Sequence, residues 1–454
     1  MKRTFLFLLL ACFTAMSATA QFGDSAWRAR QQLIRQESLK DYQDMLQQLG
    51  ITVTRPGPSG DPKAPNAANA DESKATTYTE LPDPLLLQNG QRVTTANEWW
   101  SARRPELVEI FDRDIYGRMP AGLPTVQWTV TEKKDDTIGG IPVEVRTLKG
   151  TVDNSSYPAI AVHIDCSLVL PKARKKVPVI IEFGFVLPPG FRFPDPKPGE
   201  KKITDWKEQV VARGYGYAIL IPTSFQADNG AGLREGIIGL ANKGAHRKPD
   251  DWGTLRAWAW GASRTIDYLE TLPEVNAQKI AIEGLSRYGK AALVAMAYEP
   301  RLSIGFIGSS GAGGAKLLRR NFGEQVENLA SDGGYHWFAG NFIRYAGPLQ
   351  VNQLPIDAHE LIALAAPRPI FIGVGSPLVE GNWIDGKGNF LGGAYASPVY
   401  ELLGKKGLGT STMPPMETFL SEGEIAFRQH SGGHTNAPNW QYFLDYTMKY
   451  WGKK

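Results

Sequence analysis

The sequence predicts an α/β fold, a doubly wound and mostly parallel sheet with helices on both faces and antiparallel strands along one edge. Three observations carry this. The runs "KVPVIIEFGF", "GYAILIPT", "KIAIEG", "LSIGFIGSS" and "RPIFIGVGS" are continuously apolar, as strands covered on both faces must be. Helical stretches alternate with them, notably "DWGTLRAWAWGASRTIDYLETL" from Asp251, which gives the rhythm of βαβ crossovers. Ahead of them, "QWTVTEK", "VEVRTLKGTV" and "AIAVHIDCSLVLP" have the alternation of antiparallel edge strands.

Taken in order, the chain opens with Lys2 and Arg3, an apolar run from Phe5 to Met16, and Ala18-Thr19-Ala20 before Gln21. Residues 1–20 therefore read as a secretory signal and the mature protein as starting at Gln21, exported to the periplasm or the exterior. A second reading takes "LLAC" as a lipoprotein signal ending at Cys12. Without the signal only Cys166 remains, so no internal disulfide is available and a large core must supply stability. Residues 24–50 have apolar positions at helical spacing with Gly50 as a stop, and give an N-terminal helical segment over 21–54. Residues 55–77, rich in Pro, Gly, Ala, Asn and Asp, read as a linker, and the catalytic domain over 78–454 begins near Tyr78. Glycine- and proline-rich stretches at 184–204 and 225–250 are expected as loops over the carboxyl ends of the strands, where such sheets bind ligands. A net charge of +4 with scattered basic residues gives no case for nucleic acid, and no segment beyond the signal is apolar enough to span a bilayer. A monomer is expected.

The most informative stretch is "KIAIEGLSRYGK", an apolar strand stopping at Gly284, then Ser286 and the start of a helix. A serine on a strand-to-helix turn has its Oγ thrust out of the backbone beside free helix N–H groups, as a nucleophile that makes an oxyanion requires. The pattern is a G-x-S-x-x-G variant of the nucleophile elbow, with Tyr288 where the usual motif has glycine. The same stretch also fits an ordinary β-to-α connection in which the serine is only an N-cap; read as an elbow, it fits the α/β-hydrolase fold. Ser Oγ needs a base, and the order on that sheet is serine, acid, histidine. Of six histidines, His434 in the glycine-rich loop "SGGHTNAPNW", before the C-terminal helix, is the candidate base, with His430 as fallback. His163, on a strand, and His359 are read as packing residues.

In these residues the chain resembles the glucuronoyl esterases of carbohydrate esterase family 15, particularly the bacterial ones. The resemblance runs from about Leu81 to the C-terminus through "DDWGTLRAWAWGASRTIDYLETLPEVNAQKIAIEGLSRYGKAAL", "SSGAGGAKLLRRNFGE", "YHWFAGNF", "LPIDAHELIALAAPRPIFI" and "NWIDGKGNFLGGAYASPVYELLG". It implies hydrolysis of esters between 4-O-methylglucuronic acid of xylan and lignin alcohols, without metal or cofactor. It matches Ser286 to the nucleophile, Arg287 to the oxyanion ligand, Lys290 to a sugar-hydroxyl ligand, Trp383 to the aromatic beside the uronate and His434 to the base. Glu324 and Trp337 are further candidates for substrate binding. Some members carry the acid where this chain has Ser309, which cannot stabilise an imidazolium. The loop after "RPIFIGVGS" offers Glu380, the favoured acid, and Asp385, the alternative, which could instead cap the next turn.

These residue types suit the chemistry independently. A guanidinium at Arg287 would stabilise charge that grows in the transition state. Lys290 lies one turn beyond Ser286 on the same helix face and could donate to a hydroxyl. Trp383, Tyr335 and Trp337 could offer flat apolar surfaces to a sugar ring. Two other functions compete: another carbohydrate esterase, such as an acetyl xylan esterase, and a catalytically impaired carbohydrate-binding relative, suggested by Ser309 and Tyr288.

Overall fold

The computed structural model describes residues 6–76, 80–172, 176–186 and 203–452, with side chains from Trp27 onward. Among the described residues ten strands form one sheet: β1 (Val126–Ile138), β2 (Ile141–Val152), β3 (His163–Pro171), β4 (Val177–Phe183), β5 (Gly216–Ile221), β6 (Val275–Leu285), β7 (Ile304–Gly308), β8 (Ile370–Val374), β9 (Phe419–Leu420) and β10 (Ile425–Gln429). Their order is β1-β2-β3-β5-β4-β6-β7-β8-β10-β9. From β5 to β10 every neighbouring pair is parallel, whereas β1, β2 and β3 are antiparallel to one another and β3 to β5.

The continuously apolar runs fill two separate cores, because successive side chains leave a strand on opposite faces. On one face Val179, Ile181, Ile280 and Ile282 pack with Trp258 and Leu255 of the helix Thr254–Glu270 and with the helix Arg287–Tyr298. On the other, Ile180, Ala281, Phe306 and Phe371 pack with Phe443 and Trp440 of the C-terminal helix Trp440–Trp451, and Trp440 stacks on Trp206 at 4.7 Å. The sheet is thus covered on both sides.

Three details differ from the expectation. The sequence reading contains no strand at 425–429, yet β10 pairs parallel with β8 there, since "IAFRQ" is too short and too polar to stand out but falls beside a buried neighbour. The N-terminal helix spans Leu6–Leu49, beginning earlier than 24, and ends before Gly50 at φ 66°. Residues 55–76 lack long regular elements, as a linker should, but are tied down: Arg55 donates to the carbonyls of Gly347, Tyr345 and Leu349 and pairs with Glu327. Tyr42 and Met45 of the helix belong to the main core, so helix and strap are laid onto the sheet domain. The expected domain start at Tyr78, the signal residues Lys2 and Arg3, and residues 187–202 of the 184–204 loop lie outside the described residues.

Candidate active site

β6 ends at Leu285, and Ser286 sits at φ 61°, ψ −128°, ahead of the helix Arg287–Tyr298. This sharp, strained turn places its Oγ beside the helix amides that have no partner within the helix. Two glycines make the turn possible. A Cβ on Gly284 would lie 2.2 Å from the Tyr288 carbonyl oxygen, and one on Gly289 would lie 2.5 Å from that of Gly308. The shifted second glycine thereby has a reason: residue 289, not 288, faces the end of β7. Tyr288 turns into the core, 5.1 Å from Trp258 and 4.4 Å from Phe185 between ring centroids, and burial pushes its hydroxyl pKa well up.

His434 and Glu380 meet across two loops, with His434 Nδ1 2.6 Å from Glu380 Oε1. The carboxylate is fully enclosed and the imidazole about one-third exposed. The second oxygen of Glu380 accepts the Gly375 amide at 2.5 Å, which fixes the carboxylate just past β8. An Nδ1–H donated to Glu380 leaves Nε2 as the free lone pair. Asp385 does different work: it accepts the Gly388 amide at 2.9 Å and pairs with Arg320 at 2.9 Å, capping the next helix. Ser309, just past β7, has an enclosed Oγ with no partner among the described residues.

The histidine loop is fastened to the nucleophile strand by a contact that sequence reading missed. Asn436 Nδ2 donates to Glu283 Oε1 and, at 3.4 Å, to the Gly284 carbonyl, while the same side chain fills the notch at Gly308, where a Cβ would clash with it. Ser286 N in turn donates to the Gly308 carbonyl at 2.9 Å. Glu283 and Asn436 are 153 residues apart in sequence, so no local pattern marks the contact.

The remaining candidates gather around this core. Arg287 Nη1 pairs with Asp228 Oδ2 at 2.5 Å, and its buried Nε has no acceptor among the described residues. Asp228, on the 225–250 loop, also accepts from Trp337 Nε1 at 2.7 Å and His336 Nε2 at 3.0 Å. Burial opposes its charge, yet these bonds and Arg287 hold its carboxyl well below the usual range. It too went unnoticed in the sequence, being one acid in a polar loop. Lys290 is buried and donates to the carbonyls of Ser310 and Ala312 at 2.8 and 2.6 Å and to Glu324 at 3.1 Å; burial pushes its pKa down against the pull of Glu324. The Glu324 amide donates to the Trp383 carbonyl at 3.0 Å, and Trp383 Nε1 to the Glu380 carbonyl at 2.8 Å. The Trp383 ring, 39% exposed, lies 5.1 Å from that of His434. Trp337 lies 5.7 Å from the Arg287 guanidinium and 5.8 Å from Lys290 Nζ.

Other side chains stand elsewhere. Tyr335 is fully buried and cannot offer a ring to a sugar; it packs on Tyr42 at 4.8 Å. Both nitrogens of His430 are engaged, Nε2 with the Thr435 carbonyl at 2.9 Å and Nδ1 with the Gly432 amide at 3.0 Å, so it is no base. His359 donates to the Pro82 carbonyl at 2.8 Å, within the core. Among the described residues no group of His, Cys, Asp and Glu could hold a metal ion, and no helix is long and apolar enough to cross a membrane.

Comparison with known proteins bears directly on this arrangement. A glucuronoyl esterase of carbohydrate esterase family 15 from Teredinibacter turnerae superposes with a TM-score of 0.85 at 44% identity, covering 91% of this chain and all of that one. The chain belongs to that family. The family model described as glucuronyl esterase, fungi, matches residues 245–404. A carbohydrate esterase from an unknown prokaryotic organism is 31% identical over 88% of this chain and 96% of its own length. A 4-O-methyl-glucuronoyl methylesterase from Wolfiporia cocos is 29% identical over 75% of this chain and 76% of its own. As a family 15 glucuronoyl esterase, the chain is a carboxylic ester hydrolase on an α/β-hydrolase sheet, and the serine turn, the histidine loop and Lys290 sit on its carboxyl edge.

Proposed function

We propose that the chain is an exported serine esterase that hydrolyses esters of (4-O-methyl)glucuronic acid in glucuronoxylan to lignin alcohols. The observation that carries the mechanism is the His434–Glu380 pair on a loop latched to the strand that delivers Ser286. Ser286 Oγ attacks the ester carbonyl carbon as its proton passes to His434 Nε2. The imidazolium is stabilised by Glu380. The oxyanion is met by the first amides of the helix and the Arg287 guanidinium. The C–O bond to the alcohol breaks as His434 returns the proton to the departing oxygen, and water, activated by the same histidine, then releases the uronate from Ser286. Glu324, Trp383 and Trp337 hold the sugar, one hydroxyl of which takes over an N–H that Lys290 otherwise gives to Ser310, Ala312 or Glu324, with no metal or cofactor taking part. Export rests on the N-terminal run from Phe5 to Met16 ahead of Ala18-Thr19-Ala20.

Benzyl glucuronate and an acetylated sugar, each supplied to the wild type and to Ser286→Ala, test the reading. The uronate ester should be turned over and the acetate left nearly untouched. Ser286→Ala should lose roughly three or more powers of ten in kcat with its melting temperature unchanged. Turnover of the variant within tenfold of wild type would remove Ser286 from the mechanism, and preference for the acetate would overturn the substrate.

A further inference from the structure

The N-terminal helix touches the active-site scaffold at two points that flank one carboxylate. Ser38 Oγ accepts the Ala231 amide at 3.0 Å, three residues beyond Asp228. On the other side the Tyr335 hydroxyl donates to Asp41 Oδ2 at 2.7 Å and lies 3.0 Å from the Ser38 carbonyl, and the next two residues, His336 and Trp337, donate to Asp228. Ser38, Asp41 and Tyr335 are all buried. His246 Nδ1 lies 3.1 Å from Asp41 Oδ1, and Met45 fills the space over Gly340 that a Cβ would need. Buried His336, its pKa pushed down by desolvation, is the neutral donor through Nε2.

We infer that the N-terminal helix positions the oxyanion arginine, by clamping Ala231 and Tyr335 so that Asp228 holds the Arg287 guanidinium in one place. The inference rests on the reading of Arg287 as an oxyanion ligand. The need for a clamp follows from exposure. The Arg287 side chain is 43% exposed, and a guanidinium on a flexible stem would otherwise have to be ordered during each turnover. Asp228 supplies that order only if its own loop and the Tyr335–Trp337 turn keep the separation set by their direct bonds, and the helix adds a further bond to each. Ser38, Asp41 and Tyr335 are positioning residues.

Tyr335→Phe keeps the ring packed on Tyr42 and removes only the hydroxyl, and Ser38→Ala removes the other anchor. In the full chain each should lower kcat on benzyl glucuronate roughly tenfold with KM within about twofold, and the losses should vanish in an Arg287→Ala background. The second variant keeps the test open if the first folds poorly. Unchanged kcat in both, or the same loss with and without Arg287, overturns the inference. If Arg287→Ala by itself leaves kcat at the wild-type value, the oxyanion reading of Arg287 falls, and the clamp with it.

Discussion

Glu380 and Asp385 share one loop and are built for different tasks. The first is enclosed against His434, and the second is locked between Arg320 and a helix cap. Glu380→Gln should therefore lower kcat by roughly two or more powers of ten with KM little changed, since the imidazolium loses its counter-charge. Asp385→Asn should act on stability, lowering the unfolding free energy by about 1.5–3 kcal/mol because Arg320 loses its buried carboxylate partner and keeps only the half-exposed Glu72, while the folded fraction keeps its kcat. Steady-state kinetics beside urea titrations separate the two, and a kcat loss confined to Asp385→Asn would reverse the assignment. Ser286 and His434 stood out as candidates because each is marked within a few residues: a strand that stops at glycine before a helix, a histidine in a glycine-rich loop before the last helix. The acid was legible only as a pair of candidates, since carboxylates five residues apart differ in what they meet across space. Asp228, Asn436 and Glu283 were invisible for the same reason. Their partners lie tens to hundreds of residues away, as with Asp228 and His336 or Glu283 and Asn436.

The elbow shows how an element can depart from its usual pattern and keep its geometry. Gly289 takes the close approach to the Gly308 carbonyl, and Tyr288, displaced from that contact, becomes a core residue. Gly289→Ala should force β7 and the nucleophile helix apart, costing about 1–3 kcal/mol in a urea titration and depressing kcat, because the strain falls on the turn holding Ser286. A variant as stable and active as wild type would show that the helix start can shift freely. The same dependence on neighbours explains why β10 escaped notice while β4, β6 and β8 did not. Runs such as "VPVIIEF" declare burial on both faces, whereas "IAFRQ" gains its strand character from lying beside β8. The N-terminal helix was legible as amphipathic, but its apolar side gives no sign that the partner is the turn at Tyr335.

At the scale of the molecule, the carboxyl edge of the sheet stores a charge problem beneath the site. Glu182 on β4 and Glu283 on β6 occupy the same register in adjacent parallel strands. Burial pushes both carboxyls above their usual range, and for Glu182 the neighbouring Glu283 adds to the effect. Glu283 also receives Asn436, so the group that resists ionisation is the one to which the His434 loop is fastened. In the native state these carboxyls keep protons that the unfolded chain releases in the ordinary carboxylate range. The folded state thus binds more protons than the unfolded one between that range and the raised values, and unfolding free energy must fall as pH rises. The contribution is whole below the usual glutamate pKa and is lost as pH passes through the raised values, at up to about 1.4 kcal/mol per unit for one retained proton. Glu283→Gln offers the same acceptor to Asn436 without a charge to lose. Urea titrations from pH 5 to 9 should show the wild type weakening steadily towards alkaline pH and the variant weakening less, so that the two curves separate most at pH 9. Parallel curves would mean that Glu283 ionises without cost and that the buried pair is not what limits this esterase in alkali.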